Sequence, residues 1–189
     1  MKDFGGISFG EFLQLYLGHE YEYREGNDRI VATINDLRPG DPVPMLAVDQ
    51  ASGATTICNA AALWQALSLQ AAFVLRCDMA RAAREANSEC VAESIRRITG
   101  RVRHFRRGDL SIASGLADGR RFAIGFADLR ASMRGIRFDC LAVDQGFDER
   151  VAASPTESRV VNAAVSSLVR TAERRSPAGF VLVGRARDE

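Results

Sequence analysis

Residues 118–144 read DGRRFAIGFADLRASMRGIRFDCLAVD, and the punctuation of this stretch predicts a hairpin arm, a short helix and a second strand. Asp118-Gly119 is the pair that a tight two-residue hairpin turn demands. Its arms would be residues 110–117 and 121–126. Leu110, Ile112 and Leu116 fall on one face of the first arm, and Phe122, Ile124 and Phe126 on one face of the second. Asp128 is placed to cap a helix through Arg134, Gly135 to close it, and residues 136–144 to form the next strand.

Working outward, residues 101–107 give a further strand just before the hairpin. From 96 to 137 the chain carries eleven arginines and three aspartates, a net of +8, whereas residues 1–60 carry nine acids and four bases, a net of −5. The formal net charge of +1 hides this dipole, whose basic end is a candidate surface for phosphate. Lys2 is the only lysine among the twenty-five bases. Arginine forks grip phosphate and carboxylate with two hydrogen bonds. A GC-rich genome would account equally well for the excess of arginine, though not for its clustering.

Elsewhere, Ser8-Phe9-Gly10-Glu11 is a capping box, with Ile7 and Phe12 at staple spacing, and predicts a helix to Leu17 stopped by Gly18. Residues 29–35 alternate and are β-rich, which predicts a strand. Residues 45–49 and 54–58 flank Gln50-Ala51-Ser52-Gly53 as a hairpin. A long helical region should follow over 59–98, apolar all round at first and amphipathic later, with a break near Asn87-Ser88. Ser154-Pro155-Thr156-Glu157 is a second capping box. Its helix carries Val161, Val165, Leu168 and Ala172 on one stripe, and residues 180–183 form a last strand. The pentapeptide LAVDQ occurs at 46–50 and again at 141–145, with unmatched flanks that favour coincidence over duplication.

The 189 residues, 47% hydrophobic and 26% charged, suit one globular domain over 1–189. Its parts would be an acidic stretch 1–60, a helical part 59–98 and the basic unit 96–144. The expected class is mixed α/β. There is no basic n-region followed by an apolar run, and the most apolar stretch, 60–75, is too short and too polar to span a bilayer. Cys58, Cys77, Cys90 and Cys140 show no C-x-x-C spacing, and His19 and His104 are the only histidines, so no zinc site is expected. A reducing, cytoplasmic location is the expectation.

Three groups of residues carry candidate chemistry. Gly125, at a strand end before a helix start, would let a phosphate approach the backbone, with Arg120, Arg121, Arg130 and Arg134 to neutralise it. The bland alternative is a glycine that turns the chain among solvated arginines. Arg101, Arg103 and Arg107 share one strand face with Phe105, and Arg106 lies on the other. These could follow a nucleic-acid backbone and stack a base, or only guard an edge strand against aggregation. A nuclease would need carboxylates, and Asp109, Asp118 and Asp128 stand nearest the basic unit, although a turn accounts for Asp118 and a helix cap for Asp128. Asp49 and Asp144 end strands and could face a cleft. No G-x-S-x-G, H-E-x-x-H, G-x-G-x-x-G or Walker A pattern is present.

The order Asp118-Gly119, Phe122 to Ile124, Gly125, Arg130-Ala131, Gly135 and Cys140 to Val143 resembles the core of the ParB/sulfiredoxin superfamily over about 27 residues. Phe126-Ala127-Asp128 departs from it where that family usually places arginine or histidine. Residues 35–44 also resemble its proline-containing strand. The length and arginine bias resemble the fertility-inhibition members of that superfamily. The resemblance implies a factor of a conjugative plasmid that blocks DNA transfer by type IV secretion, binds and hydrolyses ATP with magnesium, and binds and cleaves DNA. Its partners would be DNA and type IV secretion components. The competing expectation is a non-enzymatic inhibitor of a protein partner. A third is an acidic N-terminal part that masks the basic unit.

Overall fold

Seven strands among the described residues form one sheet. They are β1 (Met45–Asp49), β2 (Phe73–Asp78), β3 (Arg103–Arg107), β4 (Leu110–Ala117), β5 (Arg120–Asp128), β6 (Cys140–Gln145) and β7 (Ala178–Arg185), in spatial order β1-β7-β6-β2-β5-β4-β3. The structure, a computed structural model, describes residues 4–17, 27–38, 40–49, 53–78, 81–129, 135–145, 153–175 and 178–185. Its helices are α1 (Phe9–Leu17), α2 (Asn27–Asp36), α3 (Ala54–Leu67), α4 (Arg81–Thr99) and α5 (Pro155–Arg175). The strands from β1 to β5 in that spatial order are parallel; β4 and β3 extend the sheet antiparallel. The expected mixed α/β class is the one that forms.

Hydrophobic burial on both faces organises the sheet. β2 and β6 lie at its centre and are buried almost throughout, as near-continuous apolar strands of a parallel sheet must be. On one face, Phe9, Phe12, Leu63, Trp64, Val91 and Ile95 of α1, α3 and α4 pack with Phe122, Ile124 and Phe126. On the other, the α5 stripe Val161, Val165, Leu168 and Ala172 packs with Leu75, Leu141 and Val143. The first capping box closes in both directions, and the second shows its serine half. The Ser8 amide donates to Glu11 Oε2 at 2.9 Å and the Glu11 amide returns to Ser8 Oγ at 3.2 Å. The Glu157 amide donates to Ser154 Oγ at 3.3 Å. Asp118 (φ 49°) and Gly119 (φ 74°) make the β4–β5 turn in the left-handed conformation that a tight hairpin requires.

Four expectations are corrected. Residues 29–35 lie in α2, not a strand. Ile30, Val31 and Ile34 are buried at helical spacing, and Thr33 Oγ1 donates to the Arg29 carbonyl one turn back at 2.8 Å. Residues 54–58 begin α3 and do not pair with β1, because Gly53 (φ 81°) turns the chain directly into a helix. The helical region 59–98 is split by β2, whose apolar run cannot be told from a buried helix by periodicity. The break at Asn87-Ser88 is absent, and α4 runs unbroken. Asp128 ends β5; residues 130–134 of the helix it was expected to cap lie outside the described residues, as does Gly18.

Cysteine reactivity reports this burial. Cys58, Cys77 and Cys140 are buried, and burial raises each thiol, Cys140 to about 12, whereas Cys90 is exposed. Iodoacetamide at mildly alkaline pH should label Cys90 in the native protein and the other three only after unfolding. Mass spectrometry of the native reaction checks this, and rapid fourfold labelling would contradict it.

Candidate functional site

Asp128, Asp78 and Asp144 stand side by side, in register, at the C-terminal ends of β5, β2 and β6. Residues level with one another on parallel strands point to the same face, so all three turn toward α3 and α4. Arg76, two residues earlier on β2, turns the same way and is fully buried. Its Nη1 lies 2.8 Å from Asp78 Oδ1 and donates to the Cys77 carbonyl at 2.6 Å. Its Nη2 lies 3.4 Å from Asp144 Oδ2, and its Nε donates to Asn59 Oδ1 at 3.2 Å. Asn59 on α3 donates to Asn87 Oδ1 at 2.9 Å, and Asn87 on α4 donates to Asp78 Oδ1 at 2.9 Å. The network thereby closes on itself across two helices and two strands.

Burial sets the protonation of these groups. It alone would lower the Arg76 guanidinium, but Cys58, Asp78, Asp144 and Cys77 around it outweigh that, and its pKa is raised. Arg76 is therefore a permanent buried cation. Burial raises Asp78 above the ordinary carboxylate range even though Arg76 pulls it down. Its second oxygen, Oδ2, is buried without a hydrogen-bond partner among the described residues.

The N-terminus of α3 meets this network from the adjacent loop. Gly53 supplies the left-handed turn, and the amides that begin the helix have no intrahelical acceptor. Thr55 Oγ1 donates to Asp144 Oδ2 at 2.7 Å. A strand, a loop and a helix whose first-turn hydroxyl meets an aspartate on another strand form the arrangement that holds a magnesium–nucleotide in P-loop folds. Residues 48–55 read VDQASGAT against the pattern G-x-x-x-x-G-K-[ST]. Gly53 and Thr55 fill their places; Val48 stands at the first glycine and Ala54 at the lysine. Gln145 follows Asp144, half-buried, and its amide donates to Asn162 on α5 at 3.2 Å.

The residues present fit the metal half of such a ligand. No three acidic, histidine or cysteine side chains gather as a metal cluster among the described residues. Magnesium does not need one, because it is usually held by one or two carboxylates together with substrate phosphates and water. Thr55 and Asp144 meet that requirement. The phosphate half lacks its lysine, and Arg76 is tied into the core and cannot replace it.

The residues singled out in the sequence are dispersed. Arg120 is half-buried and donates to the Ala66 and Leu67 carbonyls at 3.3–3.4 Å, capping the negative end of α3. Gly125 lies under the Phe73 ring, where a Cβ would come within 2.5 Å of Phe73 Cζ. Arg130 and Arg134 lie outside the described residues. Asp109 sits exposed in the β3–β4 turn, its carbonyl accepting from Arg84 Nη1 at 2.8 Å. Asp128 ends β5, half-buried beside Asp78. Arg101, Arg103, Arg107 and Arg121 are exposed, whereas Arg106 pairs with Glu85 at 2.7 Å.

Thr55, Asn59, Arg76, Asp78 and Asn87 were not anticipated. The available signal was β2 itself, where FVLRCD sets an arginine and an aspartate two residues apart inside an apolar run. The LAVDQ repeats were a second signal, because each ends a strand of the parallel set.

No protein-family model matches the chain, and no curated protein matches it. Among solved structures it is similar to the large terminase ATPase domain of Thermus phage P74-26. The TM-score is 0.56 at 11% identity, over 94% of this chain and 70% of that one. A mutant of the same domain matches with the same figures. What they share is the fold. In this chain, that fold carries the Thr55–Asp144 contact at the parallel strand ends.

Proposed function

We propose that this domain binds a magnesium–nucleoside triphosphate at the C-terminal ends of β1 and β6, acts in association with DNA, and turns the nucleotide over slowly. The Thr55–Asp144 hydrogen bond carries the reading, because it joins a helix N-terminus to a strand-end carboxylate. The likeness to a phage terminase ATPase domain supports both nucleotide and DNA as ligands. Thr55 and Asp144 would hold the metal, and the first amides of α3 the phosphates. The bound magnesium would neutralise phosphate charge. Slow turnover follows from Ala54, which leaves no lysine on the transferred phosphate, and from Gln145, which supplies no carboxylate base beside Asp144. Fertility inhibition, drawn from the resemblance in length and arginine bias, stands as a proposed cellular setting and would be read from plasmid transfer frequency.

Calorimetry with ATP, with and without magnesium, tests the site. Binding should require magnesium, and Thr55→Ala should weaken it by at least about tenfold. Ala54→Lys should raise hydrolysis, on the order of a hundredfold for one well-placed charge. Binding that ignores both magnesium and Thr55 would overturn the proposal.

A further inference from the structure

One face at the edge of the sheet remains outside this site, covered over Ile112 and Gly125 and exposed along β3. At the β3–β4–β5 end, on the side opposite α3 and α4, register places Arg103 beside Ser114 and Ala123, and Phe105 beside Ile112 and Gly125. Arg107 stands beside Leu110, and Leu116 beside Arg121. Directly paired residues of antiparallel strands share a face, so these side chains make one surface. Every residue of β3 is exposed. Phe105 is 48% exposed and Leu116 51% exposed. Arg103, Arg107 and Arg121 have no side-chain partner among the described residues, and no acid lies on this face of the three strands.

The opposite side of β3 is occupied differently. Arg106 pairs with Glu85 at 2.7 Å, and His104 Nε2 is 2.6 Å from Ser88 Oγ on α4. As alternation predicted, the pleat sets Arg106 apart from Arg103 and Arg107. A strand that only guards an edge needs charge, and a half-exposed phenylalanine between two arginines works against that purpose. Strand geometry spaces Arg103 and Arg107 about 13 Å apart with the Phe105 ring midway. Phosphate-binding cations flanking an exposed aromatic are the requirements for a strand of unpaired bases, which stack on the ring while their backbone meets the guanidinium groups.

We infer that the β3–β4–β5 face binds single-stranded nucleic acid, with Phe105 as the stacking platform and Arg103, Arg107 and Arg121 as the phosphate contacts. This deepens the DNA half of the proposed function and is independent of the nucleotide site. Fluorescence anisotropy with labelled single-stranded DNA, single-stranded RNA of the same sequence, and blunt duplex tests it. Phe105→Ala should weaken single-strand binding by about 5- to 140-fold, the range for loss of one stacked base. It should leave the thermal midpoint unchanged. Arg103→Ala with Arg107→Ala should reduce the log–log salt slope by about 1.4, near 0.7 per phosphate released. Arg106→Ala should change neither quantity. The two single-stranded arms identify whether DNA or RNA is preferred. Wild-type DNA binding that survives both face variants would overturn this surface and leave the DNA reading standing. Absence of any nucleic-acid binding by the wild type would overturn both. Tighter binding to blunt duplex, indifferent to Phe105, would remove the stacking role and with it the inference.

Discussion

Arg76→Ala should destabilise the protein by about 3–5 kcal/mol, the usual cost of removing one partner from a buried ion pair. Arg76 is fully buried and is the only cation among the groups it touches. Its loss would strand Asp78 and Asp144 and orphan Asn59 Oδ1 and the Cys77 carbonyl. Arg76→Lys should recover little, since one ammonium cannot meet four acceptors held in the geometry of a guanidinium fork. The deficit should depend on pH. Asp78 already titrates above its unfolded range, so the folded state keeps its proton to higher pH than the unfolded chain does. A carboxyl raised in this way contributes stability that falls as pH rises through the window between the two values. Without Arg76 that window widens, and the variant should recover part of its stability at acid pH. Urea melts at acid and neutral pH measure this, and a deficit that is the same at both would contradict it.

Gly115→Val should cost about 1–3 kcal/mol through overpacking. Gly115 on β4 faces α4, and a Cβ there would come within 2.7 Å of Ile95 Cγ2 and 2.9 Å of Phe122 Cζ. Both neighbours are buried and have no room to withdraw. The added branch must lift α4 from the sheet or force Ile95 out of its rotamer. Ile95→Ala should partly rescue Gly115→Val, giving a coupling that two independent defects would not show. Gly125→Ala should be milder, because its clash is with the tip of the half-buried Phe73 ring. Simple additivity in the Gly115–Ile95 cycle would reject direct contact as the cause.

Local signals were legible wherever a short motif determined the backbone. Ser8 to Glu11, Ser154 to Glu157 and Asp118-Gly119 each specify their own hydrogen bonds or dihedrals, and each forms as expected. Period was less informative. Ile30, Val31 and Ile34 satisfy a helix as well as a strand, and only packing chooses between them. Phe73 to Asp78 merges into its helical neighbours because a strand buried on both faces shows no alternation. The candidate site was largely hidden for a related reason. Thr55, Arg76, Asp78 and Asp144 come from three separate segments, and nothing local records that β6 lies beside β2. The arginine cluster was plain in the composition, and alternation already set Arg106 apart from Arg103 and Arg107, but which side meets α4 follows only from the packing of β3.

The sheet order bears on how the chain is made. Among the described strands β1 pairs only with β7, so Met45 waits for Val181, 136 positions further along. At about 5–20 residues per second, the strand that leads into α3 leaves the ribosome on the order of ten seconds before its partner exists. For the part of that interval before β6 is made, α3, buried along almost all of its length in the finished fold, lacks one of the strands it docks on. The Thr55–Asp144 contact therefore cannot form until β6 is made, and β1 stays without its strand partner until β7 follows.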